Sequence, residues 1–435
     1  MHQGIRLRRS ALPWTAALAA LALAATACGG SDSEGGGAKN PADVSGSITW
    51  WDTAGKAEAP VYEKLVAAFE KKYPKIDVKR VEVPFDQAQQ KFKTAARAKK
   101  GAPDVLRSEV GWTPGFAALG YLAPLDDTPA VAGKDDYLEG PLQGARFEGR
   151  TYAVPQVTDT LGLLYNKAIL KKAGISEPPK TWKEIEAAAK KLKAKTPGVT
   201  ATYVNPDSYY SWPFLYGEGG DMVDAAAKKI TVNSPASVKG IEAATSLIDS
   251  GAAKRPDTTE GYNNMQAQMG SGKLAMIVDG PWATAGLLKS PAFKGKPENL
   301  GIAPIPGGSK TAGAPTGGHN LAVYAASEKL DASYLFVKFM NSADSQAKAA
   351  VANSTLPTRE SAYRGEVTAD PVRAAFRKAL ESAKPRPQIT VSGELFASFN
   401  QNYAKILTGS SSVQDGLDAT AKEWKSSYLK DFSTR

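Results

Sequence analysis

The residues best equipped for chemistry are aromatics crowded against short polar side chains in six segments. These are Trp50-Trp51-Asp52-Thr53, Arg107-Ser108-Glu109-Val110-Gly111-Trp112, Gln156-Val157-Thr158-Asp159-Thr160, Asp207-Ser208-Tyr209-Tyr210-Ser211-Trp212, Asp279-Gly280-Pro281-Trp282 and Thr316-Gly317-Gly318-His319-Asn320. A flat ring stacks on the weakly polar CH face of a pyranose, and carboxylates, amides and guanidinium groups pair with its hydroxyls, so both kinds of group in one cleft make a sugar site. The carboxylates Asp52, Glu109, Asp159 and Asp207 would equally serve glycoside hydrolysis if two of them were held about 5–10 Å apart across a bond. Spacing along the chain leaves both readings open. Of the seven Trp beyond position 27, five lie in these segments, whereas Trp182 and Trp424 read as core or helix-surface anchors.

Other reactive groups are scarce. One Cys and two His, one of them at position 2, exclude a disulfide framework, a zinc finger and a poly-His metal site. Ser–His or Cys–His catalysis would rest on His319 alone, and no G-x-S-x-G elbow accompanies it. His319 therefore reads as a loop residue hydrogen-bonded near a hinge or rim. P-loop, HExxH and EF-hand patterns are missing, so neither metal nor cofactor is expected. The formal charge of +10 falls to +7 once Arg6, Arg8 and Arg9 are set aside. Lys183, Lys190, Lys191, Lys193 and Lys195 alternate with Ala and Glu as a solvated helix face. With no recognition helix or stacking platform beside them, nucleic acid is not an expected partner.

The elements that must hold the aromatic segments alternate between strand and helix. Ser47 to Trp51, Asp77 to Val83 and Asp104 to Ser108 read as strands. Val61, Tyr62, Leu65, Val66 and Phe69 give a helix its apolar face, ended by Pro74, and a polar helix spans Asp86 to Lys99. The pattern restarts with strands at Leu161 to Tyr165, Ile230 to Val232, Leu274 to Val278, Ile302 to Ile305 and Asn320 to Tyr324. Thr181 and Glu184 have the spacing of a capping box, and Ser234-Pro235 opens another helix. From Asp331 onward the chain reads as mostly helical. At 435 residues, two α/β lobes on parallel or mixed sheets fit this order.

The first residues have a different character. A basic stretch, the apolar run Ala11 to Ala27 and small residues read as an export signal over 1–27. Ala25-Thr26-Ala27-Cys28 resembles a bacterial lipobox, with Cys28 as the lipidated first residue of the mature chain. The Gly/Ser/Asp-rich stretch over 28–43 reads as a flexible tether. The expected location is the outer face of the cytoplasmic membrane, lipid-anchored on the extracellular side.

Several stretches in order resemble the extracytoplasmic solute-binding proteins of carbohydrate ABC importers, and most closely the maltose/maltodextrin-binding lipoproteins of actinobacteria. They include Ile48-Thr49-Trp50-Trp51-Asp52-Thr53, Val83-Pro84-Phe85-Asp86-Gln87-Ala88-Gln89, the run from Gly101 to Trp112, Tyr165-Asn166-Lys167, Gly280-Pro281-Trp282 and Asn353-Ser354-Thr355-Leu356-Pro357-Thr358-Arg359. The resemblance implies an α/β, two-lobed periplasmic-binding-protein-like fold of type II with a multi-crossover hinge. Residues 44–157 and 307–355 would form lobe 1, and 158–306 and 356–435 lobe 2. It implies a monomer, not an enzyme, that captures maltose or maltodextrins between the lobes and delivers them to membrane permease subunits. Sugar contacts would fall to Trp51, Asp52, Glu109, Trp112, Asp159, Asp207, Tyr209 and Trp282. Phe396 stands where the family often has another stacking Trp. A receptor for another oligosaccharide and an extracellular glycoside hydrolase are the alternative readings.

Overall fold

The computed structural model describes residues 40–434. The expected signal over 1–27, Cys28 and most of the 28–43 tether lie outside the described residues. From there come β1 (Gly46–Asp52), α1 (Ala59–Lys72), β2 (Ile76–Glu82), α2 (Phe85–Ala98), β3 (Val105–Glu109), β4 (Ala153–Asp159) and β5 (Gly162–Asn166), all but β4 close to where the apolar spacing predicts them. Next come α3 (Trp182–Lys195), α4 (Trp212–Gly217), α5 (Pro235–Asp249), α6 (Gly261–Gly270), β6 (Met276–Asp279), β7 (Leu300–Ala303) and β8 (Gly317–Val323). The remainder is α7 (Leu330–Met340), α8 (Ala343–Asn353), a short β9 (Leu356–Pro357), α9 (Ser392–Thr408) and α10 (Val413–Ser427), with shorter pieces between.

Six strands make one mixed sheet in the order β9-β4-β8-β3-β1-β2. β1 runs parallel to β2 and β3, while β8 runs antiparallel to both β3 and β4. Hence β1, β3 and β4 point the same way, and their last residues, Asp52, Glu109 and Asp159, all finish at one edge of the sheet. The pleat sends alternate side chains to opposite faces. Ile48, Trp50, Val105, Leu321 and Val323 join Tyr62, Phe69 and Phe336 in one core. Leu106, Ala153 and Ala322 join Phe92, Phe116 and Trp112 in a core on the other face, with the half-buried Trp51 packed against it. The neighbours Trp50 and Trp51 are thereby separated: Trp50 is fully buried between Tyr62 and Phe336.

A second α/β half surrounds the three-stranded sheet β6-β5-β7, antiparallel throughout. Its core gathers Leu163, Leu164, Trp182, Leu247, Phe399 and Trp424 from β5, α3, α5, α9 and α10. Trp182 and Trp424, read as core or helix-surface anchors, are both core residues. The chain passes between the halves after β4, between β7 and β8, and again at β9. That last strand pairs with β4 at the edge of the first sheet, while Leu356 packs into the core of the second half. Helix starts follow local chemistry: Ser234 Oγ accepts from Ser237 N, and Thr181 Oγ1 accepts from Glu184 N. The Glu184 carboxylate bonds back to Lys180 N at 2.6 Å rather than to the cap residue itself, so the box closes one residue early.

Trp50 belongs to the framework and not to the cleft. Trp50→Ala is expected to lower the urea midpoint by an amount equivalent to about 3–5 kcal/mol, the usual cost of truncating a buried Trp. An unchanged midpoint in equilibrium unfolding would contradict this placement.

Candidate functional site

The site begins at the common edge where the strands end. Asp52 closes β1 fully buried. Its Oδ1 accepts from Ala54 N at 2.9 Å, and its Oδ2 accepts from Arg80 Nε at 2.7 Å. Arg107, also buried, approaches Asp52 at 3.9 Å and Glu58 at 3.9 Å, and donates to Gln156 Oε1 at 3.0 Å. Both Asp52 oxygens are engaged by the protein, so here Asp52 anchors an internal ion cluster instead of presenting a free carboxylate. Trp51 lies half-buried on the other face, with Lys91 Nζ 6.0 Å from its ring centre. The contacts of both residues stay within the first half.

Glu109 closes β3 and caps the following turn by accepting from Gly111 N at 2.9 Å. It also forms an ion pair with Arg386, which comes from the loop before α9 and is itself buried. That pair bridges the two halves, and a second bridge joins Lys93 of α2 to Glu394 of α9 at 2.6 Å. The halves therefore touch at these two ion pairs. Trp112 is nearly buried and stacks with Phe85 at 5.3 Å between ring centres, leaving Phe85 48% exposed. His319, opposite Glu109 in the sheet, lies edge-on to Phe85 at 5.8 Å. Burial, with the nearby Arg107 cation, holds the His319 pKa well below the usual histidine range, so its imidazole is neutral at pH 7.

Asp159 closes β4 beside Gly317 of β8. A Cβ on Gly317 would lie 2.2 Å from Asp159 Oδ1 and 2.8 Å from the Tyr209 hydroxyl, so only glycine lets these two groups meet there. The Tyr209 hydroxyl is buried and lacks a hydrogen bond of normal geometry. Burial, reinforced by the Glu58 charge and opposed by Arg107 and Tyr209, pushes the Asp159 carboxyl up to about 7. Asp207 remains exposed and accepts from Tyr209 N at 2.8 Å, which shapes the turn that presents Tyr209. The same turn is tied to α9 by Ser208, whose N donates to Asn400 Oδ1 at 2.7 Å and whose Oγ donates to the Phe396 carbonyl at 2.9 Å.

Tyr209 is the junction of the aromatic groups. Its ring centre lies 6.1 Å from Phe396 and 6.5 Å from Trp282. Phe396 stacks almost parallel on Trp212 at 5.2 Å, and the Arg386 guanidinium sits 4.9 Å from the Phe396 ring and 6.0 Å from the Tyr209 ring. Glu109, Asp159, Asp207, Tyr209, Trp282 and Phe396 thus belong to one connected group. Trp112 joins it through the Glu109 turn and through Gly393, where a Cβ would come within 2.8 Å of Trp112 Cδ1. Trp51 and Asp52 are set apart from it.

Several participants carried no recognisable sequence signal. Arg386 sits in Lys384-Pro385-Arg386-Pro387, with no aromatic or acid beside it; only its place between two prolines hints at a fixed position. Burial pushes its pKa down to about 9, which leaves it charged at neutral pH. Tyr262 and Gln266 lie on α6, a segment to which the sequence pattern assigns no element and no role. Among the described residues, no group of three or more His, Cys, Asp or Glu is arranged to hold a metal ion.

Comparison with known proteins fits this architecture. The signature of the bacterial extracellular solute-binding protein family matches residues 52–347. The chain belongs to that family. The diacetylchitobiose binding protein DasA of Streptomyces coelicolor is 30% identical over 350 residues, 79% of this chain and 80% of that protein. The GacH receptor of Streptomyces glaucescens GLA.O, solved unliganded and with acarbose and an acarbose homolog, is 45% identical with a TM-score of 0.86 over 90% of this chain and 100% of that one. Maltose-bound MalE3 of T. maritima is 25% identical with a TM-score of 0.80, over 87% of this chain and 99% of that one. The fold is the two-lobed type II binding-protein fold. The protein is a sugar-binding solute receptor of an ABC importer, not an enzyme, and it works outside the cytoplasm.

The receptor's buried acids leave a signature in its stability. Asp279 closes β6 and accepts from Gly280 N at 2.8 Å, Tyr210 Oη at 3.2 Å and the Gln266 amide. Burial outweighs those bonds and raises its pKa from 3.8 to about 7. Between those values the folded chain holds a proton that the unfolded chain releases, so stability falls as pH rises and the loss is complete above about 7. Asp279→Asn imitates the neutral acid, with the Gln266 amide free to turn and accept. Differential scanning fluorimetry is expected to give parent-like melting near pH 4 and a higher melting temperature than the parent at pH 8. Parallel pH profiles of the two proteins would refute it.

Proposed function

We propose that this receptor captures maltose and maltodextrins between its halves and hands them to membrane permease subunits. The observation that carries the reading is the connected run of Trp282, Tyr209 and Phe396 from the second half beside Asp159 and Glu109 from the first, with Arg386 paired to Glu109 across them. The proposed sugar contacts are Glu109, Trp112, Asp159, Asp207, Tyr209, Trp282 and Phe396, with Trp51 at the margin and Asp52 acting through the ion cluster beneath. The relatives support an α-glucoside ligand: the GacH receptor was solved with acarbose and MalE3 with maltose. DasA, named for diacetylchitobiose, supports another oligosaccharide as the second reading.

Sugar shifts the equilibrium toward closure because it touches both halves when they are shut and only one when they are apart. The proposed lobes are 44–157 with 307–355, and 158–306 with 356–435, with Thr158 and Asp159 at the end of β4 still paired in the first sheet. One pyranose on one aromatic face contributes about 1–2 kcal/mol. Micromolar affinity needs about 8 kcal/mol net, so several rings and acids must act together. Calorimetry across glucose, maltose, maltotriose, trehalose, cellobiose, diacetylchitobiose and acarbose tests the ligand class. Maltotriose is expected to bind the parent, and Trp282→Ala to weaken that binding at least tenfold. Binding of diacetylchitobiose or cellobiose without maltotriose would overturn the maltodextrin reading, and an unaltered maltotriose titration would remove Trp282 from the site.

We further propose that Cys28 carries acyl chains that tether the receptor as a monomer to the membrane beside its permease. Each buried CH₂ contributes about 0.8 kcal/mol, so two or more chains give stable anchoring. Fractionation of expressing cells is expected to move the protein from membrane to soluble fractions in Cys28→Ser. Retention of that variant on the membrane would refute the anchor.

A further inference from the structure

The half-buried indole of Trp282 is restrained on two sides. Its ring folds back over its own turn, so that a Cβ on Gly280 would lie 2.0–2.4 Å from three ring atoms. At the other end its Nε1 donates to the Tyr262 hydroxyl at 3.1 Å. Tyr262 comes from α6, whose Met265 and Met269 are fully buried in the core and whose Gly261 packs on Pro206. Gln266, one turn further along the same face of α6, donates to Asp279. Asp279 also holds Gly280 N and the Tyr210 hydroxyl, and the Tyr210 ring lies 6.4 Å from the Tyr262 ring. A core-anchored helix and a buried carboxylate therefore grip both ends of the turn that carries the stacking ring.

We propose that Tyr262, supported by Gln266 and Asp279, is a positioning residue that fixes the plane of the Trp282 indole and so sets which sugar face the cleft accepts. The inference rests on Trp282 being a sugar-stacking residue. Sugar binding depends on the angle between pyranose and ring, because dispersion contacts fall steeply with a gap of 0.5–1 Å. An indole free to rock about its side-chain torsions meets the sugar in the stacked pose only part of the time. The hydroxyl of Tyr262 removes that freedom before the ligand arrives. It acts through the indole, so removing it matters only while the indole is present.

A double-mutant cycle tests this on the full receptor, using maltotriose calorimetry for Tyr262→Phe, Trp282→Ala and both together. Thermal melts confirm that each variant is folded, and near-ultraviolet circular dichroism reports the indole environment. Tyr262→Phe is expected to weaken binding about three- to tenfold, the range of one net hydrogen bond. It is also expected to alter the aromatic dichroism of the ligand-free protein. In the Trp282→Ala background the same change should shift affinity less than about twofold. Equal losses in both backgrounds would overturn the proposal, because Tyr262 would then act directly on sugar or through the fold. A loss for Trp282→Ala with none for Tyr262→Phe would overturn positioning while leaving the stacking ring in place. Parent-like binding by Trp282→Ala would remove the stacking role and the positioning role together.

Discussion

The structure turns on one buried ion pair, Glu109 with Arg386, because it joins the two halves at the level of the site. Taking a carboxylate and a guanidinium out of water costs several kcal/mol per ion, and their mutual attraction offsets this only when the geometry is held. Here it is held from both sides. Glu109 is pinned by the Gly111 amide at the end of β3, and Arg386 lies against the Phe396 and Tyr209 rings. When the halves part, both ions regain water and the two aromatic faces become available. The recovered hydration offsets part of the attraction lost on opening, so a ligand that also bridges the halves can decide the balance.

The sheet direction explains why the acids converge. Asp52, Glu109 and Asp159 are the last residues of three strands that run the same way, and Asp279 is the last residue of a strand in the other half. Strand ends release the chain into turns where backbone N–H groups are free to meet a carboxylate, as at Ala54, Gly111 and Gly280. This places polar groups at the mouth of each half without breaking either core. The pleat does the complementary work for the aromatics by sending Trp50 inward between Tyr62 and Phe336 and leaving Trp51 on the opposite face.

Strand and helix positions were legible because apolar periodicity governs them, and β1, α1, α2 and β3 fall within a residue or two of their expected limits. The acid-plus-aromatic segments were legible for the same reason, since each is a short run at the end of a strand or the start of a turn. What the sequence could not reveal was which acids are already spoken for. Asp52 and Asp159 have similar neighbours along the chain, yet Arg80 and Arg107, distant in sequence, engage Asp52 while the Tyr209 hydroxyl faces Asp159. Arg386 and Tyr262 were invisible because their role depends on contacts made by a proline-flanked loop and by a helix whose composition marks it only as soluble.

Those long-range partners also resolve a conflict built into the cleft. Holding four ionised carboxylates in and beneath a space that dries on closure would be costly. Two of them, Asp52 and Glu109, are matched by arginine cations. The other two, Asp159 and Asp279, lie where burial lifts their pKa to about 7. Near neutrality a substantial share of these two is protonated, and a protonated carboxyl both donates and accepts hydrogen bonds. A sugar hydroxyl does the same. In its neutral form Asp159, one of the proposed contacts, therefore suits an uncharged polyhydroxylated ligand better than a fixed anion would, and Asp279 behind Trp282 adds less charge than a fixed anion to the layer that closure must dehydrate.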